Sequence, residues 1–493
     1  MDLSLVDAST AAAVEEALSA APLPTTSAPT TVTRRRGWRL RIYPTPEQLT
    51  TLRRWEGHLR WLWNLWCDEW HAKLEGVEHI DRETGEVTTV PLVLPDQLAL
   101  QFSLTSIRRH HPSAAELPRH MQQAVLLAFV RACERFLKGV GAPGKPSRPP
   151  RRKRHAWAAV ADDGDARRTR AGDHVPLQMP QPTRIDLDPD RAWTGPDRVP
   201  RARRGAVHWP KLGPIACVVD NALPGEVKSV ALVEEADGWY VVACCAAEVP
   251  APSAPPATAP VLGIDRGVVN ILADSAGRLT PHPRWGRAAE DTLARLQRKA
   301  AGQVRGSRGW HRTVQRIARL SLRVRRQRDA VLHAESLRIA REVSAGRWSA
   351  VAVEALQLTA MTASARGTAE EPGSRVAQKA GLNRAMLDGA LGRFEQLLTY
   401  KVTDAGGAVL RVDPAYSSQT CAACGVVDAA SRRSQSVFVC VACGRERHAD
   451  TNAAEVLAQR GEQARMEAAG AGGAGQGKRP KKLRAVRKRK AER

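Results

Sequence analysis

The 493-residue chain contains no apolar run approaching the ~20 residues needed to cross a bilayer, and its start lacks a basic segment followed by an apolar one. Neither a membrane span nor a secretory signal is expected. Acidic residues are in short supply, with 51 Asp plus Glu against 75 Lys plus Arg and a net charge of +24. Such an excess selects a large polyanion, a nucleic acid, as partner over a membrane. Cysteine is sparse outside one stretch. Cys67, Cys133, Cys217, Cys244 and Cys245 stand singly or adjacently in apolar surroundings, as reduced core residues do, which implies a reducing cytoplasm.

What is present divides into segments. The length suits about two to four domains. Residues 1–33 are rich in Ala, Thr, Ser and Pro and read as a disordered leader. In "RRRGWRLRIYPTPEQ" the alternation through Trp38, Leu40 and Ile42 predicts a half-buried strand over 34–43, ended by Pro44 and Pro46. The stripe Leu52, Trp55, Leu59, Leu62, Trp66, Trp70 then predicts a helix packed into a core, and "LPRHMQQAVLLAFVRACERFLKG" a second one, so 44–140 reads as a helical lobe. The basic "GAPGKPSRPPRRKRHAW" is either a solvated loop or an arm contacting phosphates. Over 141–250 the β-rich runs beyond it, joined by Gly, Pro and Asp turns, suggest a small barrel or sheet that 34–43 would complete. A proline-rich linker at 251–260 marks the clearest boundary, and the chain restarts as a strand at 261. An Arg-rich amphipathic helix pair is expected between about 305 and 346. The glycine-rich and basic tail, 461–493, reads as disordered and suited to RNA.

Two Cys-x-x-Cys pairs, Cys421/Cys424 and Cys440/Cys443, are separated by a short polar loop. This is zinc-ribbon spacing: each pair offers two corners of a tetrahedral Zn²⁺ site, and Gly425 and Gly444 allow the tight turn after each. One structural zinc ion is expected.

Acids stand where a strand or a helix start isolates them. Asp265 ends the apolar "VLGID", Glu354 is the lone acid of "WSAVAVEAL", and Asp450 opens the helix-forming "DTNAAEVLAQR". A carboxylate in an apolar strand is costly unless paired or metal-bound. Converging, these hard oxygen ligands would suit a pair of Mg²⁺ or Mn²⁺ ions about 3.5 to 4 Å apart, an arrangement that hydrolyses phosphodiesters.

The succession "GIDRG", "VAVEAL", "YSSQTCAACG", "FVCVACG", "ADTNAA" resembles the split RuvC nuclease and inserted zinc ribbon of the TnpB proteins and miniature type V CRISPR effectors. With "RIYPTPEQ" and "RWLWN" the resemblance covers roughly 34–460. It implies an α/β fold: an RNase-H-like RuvC domain over 261–415 and 448–460, an inserted ribbon at 416–447, and a helical recognition lobe and small β-barrel before them. It makes Asp265, Glu354 and Asp450 the metal-binding catalytic acids and matches Arg432 to a nucleic-acid-binding arginine of the ribbon. It implies a guide RNA and double-stranded target DNA as partners, with the ribbon bracing the point where the chain re-enters the nuclease. Asn452 is open to a role toward substrate or metal shell or to an ordinary helix start, and His448 to a role behind the zinc ligands or at the surface. A guided DNA binder that silences without cutting, and a non-catalytic zinc-ribbon RNA-binding protein, are the rival readings.

Overall fold

In the computed structural model the described residues are 31–75, 78–80, 87–89, 94–139, 150–152, 177–179, 185–186, 193, 195–220, 222–366 and 373–471. Nearly all of the expected leader, most of the basic segment after 139 and the end of the tail lie outside them. The chain divides into two compact units, 1–251 with 293–322, and 252–292 with 323–493. The change at 251/252 falls within the proline-rich segment.

The first unit contains β1 (Thr31–Tyr43), α1 (Pro46–Glu75), a short hairpin of β2 (Glu78–Ile80) and β3 (Val87–Thr89), α2 (Gln97–His110), α3 (Pro112–Glu116) and α4 (Arg119–Gly139). Strands β4 (Leu177–Met179), β5 (Ile185–Asp186), β6 (Arg204–Trp209), β7 (Gly213–Val218), β8 (Glu226–Glu235) and β9 (Gly238–Pro250) follow. They form an antiparallel seven-stranded sheet of order β4-β8-β9-β1-β7-β6-β5. The first strand in sequence is thus central in the sheet, and the helices are inserted between it and its partners. The alternation in β1 buries Trp38, Leu40 and Ile42, and the whole α1 stripe from Leu52 to Trp70 is buried with Met121, Val125 and Phe129 of α4 in one core. The α1 tryptophans of the stripe are therefore core residues. Of the five isolated cysteines four are buried, and Cys244 is half-buried.

The second unit is built on β10 (Val261–Asp265), β11 (Asn270–Asp274), β12 (Leu279–Pro281), β13 (Ala350–Glu354) and β14 (Ala408–Val412), in the order β12-β11-β10-β13-β14. The first three pair antiparallel, whereas β10, β13 and β14 run parallel. This order and polarity are those of an RNase-H-like α/β sheet. The helices are α5 (Trp285–Ala301), α6 (Arg308–Ser344), α7 (Leu358–Met361), α8 (Val376–Gly389), α9 (Leu391–Asp404) and, after the ribbon strands β15 (Val437–Val439) and β16 (Glu446–His448), α10 (Ala449–Ala471). Both α5 and α6 are shared between the units. The expected helix pair between 305 and 346 is instead one 37-residue helix, α6, because no Gly or Pro interrupts the segment between Trp310 and Ser344. Helix α10 runs to Ala471, past the boundary expected at 460.

Both faces of this sheet are covered, so its parallel strands are apolar without alternation. Leu262, Ile264, Val351 and Val353 pack on one side against Leu332, Ile339 and Val343 of α6 and Phe394, Leu397 and Leu398 of α9. Val261, Ala350 and Ala352 pack on the other, with Leu457 of α10. That second face is made of small residues, and α10 lies very close to it. A Cβ at Gly263 would meet the Ala454 carbonyl oxygen at 1.9 Å, and one at Gly461 the Ala352 Cβ at 2.6 Å.

Candidate metal centres

The period of two along a strand decides where the acids go. Asp265 has the parity of Val261 and Gly263, and Glu354 that of Ala350 and Ala352, so both belong to the face that α10 covers. Ile264 pairs with Val353, which puts the two acids at the carboxyl ends of adjacent parallel strands, the edge at which open α/β sheets bind ligands. Asp450, in the first turn of α10, is the third. Asp265 feels both others: burial, then the charges of Glu354 and Asp450, push its carboxyl up to about 7, against an opposing pull from Arg432. Burial also raises Glu354, opposed by Arg266 and by a hydrogen bond from Ser417. Mutual repulsion among buried carboxylates is what a divalent cation relieves, and an all-oxygen donor set is what Mg²⁺ or Mn²⁺ takes. The residues fit such ions, although among the described residues only the cysteine ligands described below gather within 4.8 Å of one another.

Neighbouring side chains orient the acids. Asn270 Nδ2 donates to Asp450 Oδ2 at 2.9 Å, and Ser417 Oγ donates to Glu354 Oε1 at 3.3 Å. Arg432 stands 3.5 Å from Asp450 Oδ1, so the arginine singled out in the ribbon faces the acids. Arg266, whose side chain is fully buried, donates to the Glu354 carbonyl at 2.5 Å and pairs with Glu395 at 2.8 Å, tying the residue after Asp265 to the end of β13. Asn270, Ser417 and Arg266 were missed in the sequence. Their signal was a polar residue embedded in "GVVNILAD", "AYSSQ" and "GIDRG".

The four cysteines do converge. Cys421 Sγ lies 3.7 Å from Cys443 Sγ, and Cys424 Sγ 3.5 Å from Cys440 Sγ. A Zn–S bond of about 2.3 Å puts tetrahedral sulfurs roughly 3.8 Å apart, so the cluster fits zinc, while a disulfide needs only about 2 Å. After each pair the chain turns through a left-handed glycine, Gly425 at φ 76° and Gly444 at φ 70°, whose N–H returns to the carbonyl of Cys421 or Cys440. His448 lies outside this set, and its Nδ1 accepts from the Asp450 N–H at 3.3 Å. Asn452 makes no helix-start bond of the usual kind; its amide bonds the backbone of Thr420 and Ala422 in the ribbon.

Family models match three stretches: a probable transposase (OrfB of IS605) at 244–365, a Cas12f1-like TNB domain at 392–457 and a helix-turn-helix domain at 34–73. Over these stretches the chain is similar to the TnpB-like transposase proteins and to the miniature type V CRISPR effectors. Its segment matched by the helix-turn-helix model is here a strand and a single long helix, β1 and α1. It is 33% identical over 245 residues to the putative RNA-guided DNA endonuclease InsQ of Escherichia coli K12, covering 50% of this chain and 59% of that one. To the CRISPR-associated endodeoxyribonuclease Cas12f1 of Sulfoacidibacillus thermotolerans it is 45% identical over 65 residues, 13% of this chain and 15% of the relative. The chain thus spans under two thirds of the length of either relative. A solved Cas12f1–sgRNA–target DNA complex aligns over 86% of this chain and 99% of its own, with a TM-score of 0.29 and 14% identity. Among the described residues no helix is long and apolar enough to cross a membrane.

Proposed function

We propose that this TnpB-like protein is an RNA-guided DNA endonuclease of the RuvC type. The observation that carries the reading is the meeting of Asp265, Glu354 and Asp450 at one end of an RNase-H-like sheet, with Arg432 beside them. Asp265, Glu354 and Asp450 would hold two Mg²⁺ or Mn²⁺ ions. Bound there, such a pair supplies Lewis-acid activation of water and neutralises charge on the leaving oxygen of a phosphodiester. The chain's own contribution is placement. Asn270 fixes one Asp450 oxygen and Ser417 one Glu354 oxygen, and Arg432 is available to a phosphate of the cut strand. One zinc ion held by Cys421, Cys424, Cys440 and Cys443 would keep the ribbon, and with it Arg432, folded.

In the same reading the first unit acts as recognition lobe and barrel-like wedge, and its basic surface takes guide RNA and the target duplex. Base pairing then supplies sequence choice, while the protein reads a short flanking motif and duplex shape. The net charge of +24 supports a polyanionic partner, and the names of the relatives support guidance. The test incubates the protein and its co-purified RNA with matched and scrambled duplexes in Mg²⁺, recording binding and cutting separately. Selective cutting of matched DNA is expected. Equal affinity for both duplexes at physiological salt would refute guidance, and selective binding without cutting would favour a silencing protein.

A further inference from the structure

Helix α10 grips the ribbon at both of its Cys-x-x-Cys turns. At the first, Asn452 Oδ1 accepts from the Ala422 N–H at 3.2 Å while its Nδ2 donates to the Thr420 carbonyl at 2.7 Å, so one amide holds the backbone on either side of Cys421. Gln459, two turns along the helix, donates to the Ala422 carbonyl at 2.7 Å. At the second turn Arg445 and Arg447 both reach Glu455 of the same helix, at 2.7 and 3.4 Å. Asn452 is completely buried. Its planar amide is satisfied at both ends only while residues 420–422 keep their knuckle conformation. A buried amide that loses such partners is costly, about 1–3 kcal/mol per group.

Asp450 precedes Asn452 by two residues in the same first helical turn. We propose that Asn452 is a positioning residue that couples metal loading of the ribbon to the placement of Asp450. The zinc ligand Cys421 fixes the turn, the turn fixes the Asn452 amide, and the amide fixes the start of α10 from which Asp450 projects. Loss of zinc then disarms the acid site without touching any of its carboxylates. An asparagine serving only as internal packing would affect stability but would leave the two metal sites independent.

The coupling rests on the nuclease reading, and two of its readouts do not. In the full-length protein with its RNA, zinc release to a chelator, Mn²⁺ affinity of the acid site by EPR titration, and single-turnover cutting are measured together with target binding. For Asn452→Ala, zinc release should accelerate and Mn²⁺ affinity should fall, each by about tenfold or more, as partners behind metal ligands typically do. Cutting should fall and target binding stay. Asn452→Asp keeps the acceptor and loses the donor at nearly the same shape, and should shift zinc release and Mn²⁺ affinity in the same direction; it carries the test if the alanine variant does not fold. Cys424→Ser, at an exposed ligand, should weaken Mn²⁺ binding as Asn452→Ala does, and the double variant should be no worse than Cys424→Ser alone. Wild-type zinc release and Mn²⁺ affinity in Asn452→Ala, or independent additive losses in the double variant, would overturn the coupling. A wild-type protein that cuts no matched DNA would sink the nuclease reading while leaving the zinc and Mn²⁺ results to decide the coupling.

Discussion

Asn270 of β11 and Asp450 of α10 are 180 residues apart in sequence and joined by a buried hydrogen bond of 2.9 Å from the amide to the carboxylate. The bond selects one orientation of the carboxylate, leaving its second oxygen toward Arg432. Asn270→Ala should therefore lower cutting by about 10- to 100-fold and raise the Mg²⁺ concentration required, with target binding intact. Asn270→Asp should be worse, because it sets a carboxylate against Asp450. A Mg²⁺ titration of single-turnover cutting checks this, and an alanine variant with the wild-type Mg²⁺ dependence would refute it.

Asp265 supplies the pH dependence. Its folded-state carboxyl titrates near 7, above the ordinary 3.8. Between those values the native state holds a proton that the unfolded chain has lost, so this group's contribution to stability falls as pH rises from about 4 to 7. Loading the site with Mg²⁺ requires the deprotonated form and should release a proton and cancel that fall. Thermal melts across this range with and without Mg²⁺ test the sign: a metal-free protein carrying Asp265→Asn should lose this component, and an unchanged profile would count against the assignment.

Zinc content is the third expectation. The intact protein should carry one zinc per chain, and Cys421→Ser should release it, because the buried Cys421 also anchors the first knuckle turn. Elemental analysis of folded, active protein without zinc would refute the site.

Local patterns made much of this readable in the sequence. Alternation in β1, the three-and-four spacing in α1 and the two Cys-x-x-Cys pairs are local patterns, and the structure buries the first two as their periods require and gathers the four cysteines. Partners brought together by crossover were not readable. Nothing near Asn270 signals Asp450, nothing near Arg266 signals the Glu354 carbonyl or Glu395, and the sequence leaves Asn452 open between a role toward substrate or metal shell and a helix start because its partners, Thr420 and Ala422, lie across the ribbon. The central position of β1 in its sheet was likewise hidden, since strand order depends on pairing across more than 170 residues.

The last expectation concerns Gly263, the middle of "VLGID" and two residues before Asp265. A methyl group there would sit 1.9 Å from the Ala454 carbonyl oxygen and 2.5 Å from the Ala458 nitrogen, both backbone atoms of α10 that no rotamer change can move. Gly263→Ala must push α10 away from β10. The overpacking should cost about 1–3 kcal/mol in stability. It should cost cutting more than that loss implies, because α10 carries Asp450 and β10 carries Asp265, and a shift of about 1 Å in catalytic geometry can cost on the order of 100-fold. At a temperature where the variant is still folded by circular dichroism, target binding should be retained and cutting should fall by at least that factor. Cutting at the wild-type rate by a folded Gly263→Ala protein would show that the helix and the strand do not need this close contact to bring their acids together.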